Sequence, residues 1–202
     1  MKSIVATLET IRDITSALPE KVDTALIGGH GAILHGVERT TLDVDLCVWS
    51  EGLKQSGSPA FFKELKGHLP ERFSAQLREG SKDPDDPIRH DLIILEDTLG
   101  EYPRIDLLIA RYRWELEGVR EAEHISGVPV PVMTKPYLAA MKLLASSYKD
   151  AADIAGLMGI MTEEERARTR ELARRIGRDR KLQRILSPPV DETEEVRDSE
   201  EL

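Results

Sequence analysis

Ala25-Leu26-Ile27-Gly28-Gly29-His30-Gly31-Ala32, followed by Arg39-Thr40-Thr41-Leu42-Asp43-Val44-Asp45-Leu46-Cys47-Val48, is the stretch whose reading decides the fold. Residues 24–27 read as a short strand, the diglycine as a tight turn into a helix near 31–36, and residues 42–49 as a second strand with two acids in it. Strand side chains alternate, so Asp43, Asp45 and Cys47 share one face while Val44, Leu46 and Val48 share the other. Two carboxylates therefore converge beyond a turn that is either a simple strand-to-helix connection or a set of amide donors suited to anionic oxygens. Aspartate is a poor strand former, which argues against the polar face of an ordinary edge strand. A dinucleotide fingerprint fits less well, because G-x-G-x-x-G read from Gly29 requires glycine where Leu34 stands.

A third acid stands in Pro103-Arg104-Ile105-Asp106-Leu107-Leu108-Ile109-Ala110, an apolar run with one carboxylate in its middle. An ionised group there requires a counter-charge, a metal ion or the solvated edge of a cleft, and Arg104 is one available counter-charge. If this strand lies beside that of Asp43 and Asp45, three carboxylates meet. Such a donor set suits Mg²⁺, and two ions can clamp the attacking and leaving oxygens of an in-line displacement. Arg39, just before the aspartates, can hold phosphate with two parallel hydrogen bonds. A helix is expected from Thr134, with Lys142 and Lys149 on one face, either as a solvated stripe or as cleft cations. A second short helix is expected from about Asp150 to Gly159, with Asp150 and Asp153 as acids favoured at its start.

In this order the segments resemble the DNA polymerase β-like nucleotidyltransferase superfamily, and within it the small bacterial members: abortive-infection-type nucleotidyltransferase toxins and minimal antibiotic nucleotidyltransferases. The residues that carry the resemblance are Gly28-Gly29, Arg39-x-Thr41-x-Asp43-x-Asp45, Arg104-Ile105-Asp106, and Lys142 through Lys149-Asp150-x-x-Asp153, together spanning most of residues 24–157. The resemblance implies an α+β fold, a mixed sheet flanked by helices with a C-terminal helical segment. It implies Asp43, Asp45 and Asp106 as catalytic residues and ligands of two Mg²⁺ ions. Gly28, Gly29, Arg39, Thr41 and Lys142 or Lys149 would face the phosphates of a nucleoside triphosphate such as ATP. The implied reaction moves a nucleoside monophosphate to an acceptor hydroxyl on an RNA end or a protein side chain, as in toxin-like members. The alternatives are an aminoglycoside-like antibiotic acceptor, or a non-catalytic nucleotide- or partner-binding module such as half of a toxin–antitoxin pair.

The chain has 202 residues and a net charge of −9, much of it in the acidic stretch Asp191–Glu201. That charge argues against a surface that coats nucleic acid generally. The expected organisation is a catalytic core over 1–132, helices packed on it over 133–186 and an acidic disordered tail over 187–202. Met1–Leu18 reads as an amphipathic helix rather than a signal peptide, and no run approaches membrane-spanning length, so a cytoplasmic protein without membrane partners is expected. Cys47 is the only cysteine, which excludes an internal disulfide and a cysteine-based zinc site. No pair among His30, His35, His68, His90 and His124 has zinc-ligand spacing with supporting ligands.

Glu51–Pro59 reads as a loop, 61–69 as a helix, 74–78 as a weak strand and 82–87 as a loop. Two strands, 88–95 and 104–110, form an expected long-looped antiparallel hairpin, followed by a helix over 111–123 and an extended edge segment over 128–132. Thr162-Glu163-Glu164-Glu165 is a capping box for one last, arginine-rich helix that stops at Ser187-Pro188-Pro189. It reads as a solvated helix, with nucleic acid as the sharper alternative.

Overall fold

Five short apolar runs pair into one mixed sheet in the computed structural model, which describes residues 2–83, 89–145 and 147–187. They are β1 (Asp23–Leu26), β2 (Val44–Trp49), β3 (Phe73–Arg78), β4 (Leu92–Asp97) and β5 (Ile105–Ile109), in the order β1-β2-β5-β4-β3. β2 and β5 run parallel, with Asp45 opposite Asp106, and the other neighbours are antiparallel. The two acidic strands are thus adjacent. The expected hairpin is present as β4 and β5. Val132 bridges to Leu26, and Leu26 N–H donates to Pro131 O at 2.8 Å, so the proline-bearing extended segment runs along the outer edge of β1.

Alternation along the strands separates two apolar layers. Val44, Leu46, Val48, Ile93, Leu95, Ile105 and Leu107 pack with Leu8 and Ile11 of α1 (Ile4–Ser16) and Phe61 and Leu65 of α3 (Glu51–His68). On the other face Ala25 and Cys47 pack with α4 (Arg113–Arg120), α5 (Lys135–Leu144), α6 (Tyr148–Ile160), α7 (Glu163–Arg175) and α8 (Asp179–Leu186). Asp45 and Asp106 have the parity of this second face, where the short helix α2 (Gly28–Leu34) also sits against β2. No helix among the described residues is long and apolar enough to cross a membrane.

Three expectations are corrected. Glu51–Pro59 is helical, not a loop: the buried Ser50 hydroxyl accepts Leu53 N–H at 3.0 Å, and Glu20 takes the Ser50 hydroxyl at 2.9 Å and Gly52 N–H at 2.7 Å. The glycine and proline mark a kink within it, at Gly57 with φ +78. The helix from Thr134 ends at Leu144, because Ser147 and Asp150 form a capping box that starts α6, so Lys142 and Lys149 stand on different helices. The last helix is two, broken at Gly177 with φ +67, and it is not a free solvated rod. Thr169, Leu172, Ala173 and Leu182 are buried, and Arg175 forks onto Glu117 of α4. Most of the expected 82–87 loop and the tail from 188 onward lie outside the described residues.

Candidate active site

The diglycine turn is shaped by what lies against it. Gly28 has φ +64, and a Cβ there would fall on the Asp45 carboxylate; a Cβ on Gly29 would lie 2.7 Å from Cβ of Thr41. Gly29 N–H donates to the Asp45 carboxylate, and Ile27 N–H donates to Asp45 O at 2.9 Å. The turn is therefore folded directly onto the Asp-x-Asp strand, and only glycine leaves room for that. Gly28→Ala is expected to cost about 2 kcal/mol, from left-handed strain plus displacement of the carboxylate. Thermal denaturation of the variant checks this.

Asp45 carries the electrostatic tension of the site. Burial raises its pKa, and the neighbouring charges of Asp106 and Asp43 raise it further, against the pull of Lys142 and of the Gly29 amide. Asp106 is forked by Arg104, with Nε to Oδ1 at 2.7 Å and Nη2 to Oδ2 at 2.9 Å. The Asp106 bond raises the guanidinium pKa, and Asp43 and Glu96 add to it. The counter-charge anticipated for Asp106 is thus present, and it belongs to a cluster that also contains Asp43, which is exposed at the entrance to β2.

Across the cleft, the cations are organised by an acid. Lys142 Nζ lies 2.5 Å from Asp153 Oδ2 and 3.6 Å from Asp150 Oδ1, and Arg39 Nη1 bonds the same Asp153 oxygen. Both members of the Lys142–Asp153 pair are buried, with 8% and 5% of their side-chain surface exposed. His30, beside Arg39, has its pKa lowered by burial and by that guanidinium. Lys149 is exposed, and among the described residues no acid pairs with it.

All nine residues expected at the site line one cleft of about 410 Å³: Gly28, Gly29, Arg39, Thr41, Asp43, Asp45, Asp106, Lys142 and Lys149. Leu92, Leu108, Leu138 and Met141 supply its apolar lining, and Ser147 and Asp150 join the wall. Asp153, read as a helix-start acid, is instead the hub of the cationic side. One signal marks it: it lies in the apolar stripe of α6 with Ile154, Leu157 and Met158, all buried, where an acid needs a partner.

The chemistry of the acidic wall fits a hard divalent cation, since burial first and then the charges of Asp106 and Asp43 raise the pKa of Asp45. Among the described residues no three acidic, histidine or cysteine side chains are already gathered as ligands of one ion. Arg104 holds both oxygens of Asp106, so that carboxylate would exchange a guanidinium for the ion.

The sheet order and helical layers form an α+β fold shared with a solved nucleotidyltransferase structure. The particular likeness is to a crystal structure of ANT(2'')-Ia in complex with adenylyl-2''-tobramycin, with a TM-score of 0.50 at 15% identity over 85% of this chain and 98% of that one. A solution structure of the antibiotic-resistance factor ANT(2'')-Ia matches with a TM-score of 0.46 at 15% identity, over 85% and 94%. No protein-family model and no curated protein matches the chain.

Proposed function

We propose that the chain is a Mg²⁺-dependent nucleotidyltransferase that moves a nucleoside monophosphate from a nucleoside triphosphate to an acceptor hydroxyl. One observation carries this reading: Asp43, Asp45 and Asp106 share with Arg39, Lys142, Lys149 and Asp150 one cleft of about 410 Å³, a volume ordinary for a small-molecule site. Asp43, Asp45 and Asp106 would hold Mg²⁺, which when bound neutralises phosphate charge and lowers the pKa of an acceptor hydroxyl. Lys149, unpaired among the described residues, is free to take triphosphate oxygens. Lys142 and Arg39, held by Asp153, add a fixed positive field with little reorganisation. Gly28 and Gly29 let the turn pack against Asp45 and Thr41, which keeps the Asp45 carboxylate at the cleft.

In the reaction, the acceptor oxygen bonds to the α-phosphorus, the bond from that phosphorus to the bridging oxygen breaks, and pyrophosphate leaves. Once released by Arg104, Asp106 takes the hydroxyl proton. Such a reaction belongs in the cytoplasm, where nucleotides and Mg²⁺ are available.

An anionic acceptor, an RNA end, is favoured by the outer face of α7 and α8. There Arg170, Arg174, Arg180 and Arg184 are exposed and, among the described residues, form no ion pair with an acid. A protein side chain is the other toxin-like acceptor, with an antitoxin as its natural partner. A cationic small molecule is a second reading, favoured by the tobramycin adduct of the structural neighbour. Incubation with labelled nucleotide, Mg²⁺ and cell extract, then separation into RNA, protein and small-molecule fractions, decides among them. For RNA, Arg174→Glu with Arg180→Glu and Arg184→Glu should weaken acceptor binding about tenfold or more and flatten its salt dependence, while nucleotide affinity holds. Unaltered RNA transfer by this variant would contradict the basic face as the RNA contact. Arg175 is excluded from the set because it packs α7 onto α4.

A further inference from the structure

We propose that Lys181 of α8 is a positioning residue for the cleft, its ammonium locking the turn between α5 and α6. That turn carries much of one wall: Lys142 precedes it, and Ala145, Ser147, Lys149 and Asp150 all line the cleft. α5 stops at Leu144 with no glycine after it; Ala145 is extended, with ψ 162. The carbonyls of a final turn lack helical donors, and a stop without a glycine cap leaves them to other partners. Lys181 Nζ is that partner, donating to Leu143 O at 2.9 Å and to Ala145 O. A cation is also the charge that a helix C-terminus favours.

The lysine is held in place from behind. Leu182, next to it on α8, is buried among the core residues that include Leu143, Leu157 and Leu172, so the stem of Lys181 emerges from a fixed base. Its charge reaches the cleft through Asp150, which attracts it, while burial together with Arg178 and Arg184 holds its ammonium pKa below the usual lysine range. Asp150 in turn stands 3.6 Å from Lys142 Nζ. The last helix is thereby tied to the pair of lysines facing the nucleotide. The latch itself is a matter of geometry; its effect on nucleotide binding rests on the nucleotidyltransferase reading.

The test compares Lys181→Met, which keeps an apolar stem, with Lys181→Arg, by native-state hydrogen exchange and by titration with ATP and Mg²⁺. In the Met variant the amides of Ala145, Ser147, Lys149 and Asp150 should exchange roughly tenfold faster, with other helices unchanged. The dissociation constant for ATP should rise by about the same factor, and Arg should restore both. Unchanged exchange at those amides overturns the proposal, as does a loss of protection spread evenly through the fold, the mark of plain destabilisation. Should the Met variant not fold, Lys181→Gln is read in the same way, and failure of both to fold overturns a positioning role in favour of a purely structural one. If the wild type binds no nucleotide, the nucleotidyltransferase reading fails, while the exchange pattern still decides on the latch.

Discussion

Asp45→Asn is expected to lower nucleotidyl transfer by about 10³-fold or more, because it removes a charge that both holds the metal and balances the phosphates. The same change is expected to raise the melting temperature of the ligand-free protein. The Asp45 pKa is raised in the fold by burial, Asp106 and Asp43, so ionising this group destabilises the native state relative to the unfolded chain. Below about pH 4 the carboxyl is protonated in both states and the penalty is absent. As pH rises the unfolded chain ionises first, and the penalty is complete once pH exceeds the folded pKa. The stabilising effect of asparagine should therefore grow as pH rises above the unfolded carboxylate range and vanish below about pH 4. Mg²⁺ should raise the melting temperature of the wild type and have little effect on the variant. Calorimetry across pH, with and without Mg²⁺, together with a transfer assay, checks each part.

The second large effect is expected at Asp153. Its removal in Asp153→Ala leaves the largely buried Arg39 without its acid and the buried Lys142 with only Asp150 at 3.6 Å, and breaking a buried ion-pair network by removing one partner costs about 3–5 kcal/mol. Urea denaturation should show that loss, and nucleotide titration should show weakened binding, because Arg39 and Lys142 no longer have a fixed place. A triple replacement, Arg39→Met and Lys142→Met with Asp153→Leu, removes both cations together with their shared acid and separates stability from function. Apolar side chains can match or exceed a buried ion-pair cluster in stability, so most of the folding free energy should return. Nucleotide affinity should not return. If it did, the cationic side of the cleft would have no part in binding.

These two residues also mark how far the sequence could be read. Asp43, Asp45 and Asp106 were legible because strand alternation and apolar context are local properties. Whether β5 lies beside β2 was a condition that local patterning does not decide, and the structure supplies it: the parallel pairing sets Asp45 opposite Asp106. Asp153 was harder, since its partner Arg39 is 114 residues away and no short-range pattern encodes that meeting. Its place in the apolar stripe of α6 shows that it needs a counter-charge without showing which.

The misread segments share one cause. Gly57 and Pro59 look like loop residues but form a kink in a helix whose start is fixed by Ser50 and a distant Glu20. The break expected near Asp150 falls earlier, after Leu144, because the Ser147–Asp150 capping box outweighs the periodicity that set Lys149 on the same helix as Lys142. In the last segment arginines dominate the composition, yet Thr169, Leu172, Ala173 and Leu182 decide its packing. In each case a few tertiary contacts outweigh the local pattern.

The most direct measurement uses nucleoside triphosphate labelled at either the α- or the γ-phosphate, supplied with Mg²⁺ and cell extract to the wild type and to Asp45→Asn. The wild type should transfer the α-label to an acceptor and release the γ-label in pyrophosphate, and the variant should transfer neither. Transfer of the γ-label to the acceptor would contradict nucleotidyl transfer, and equal α-label transfer by the two proteins would contradict the acidic cluster as its catalytic centre.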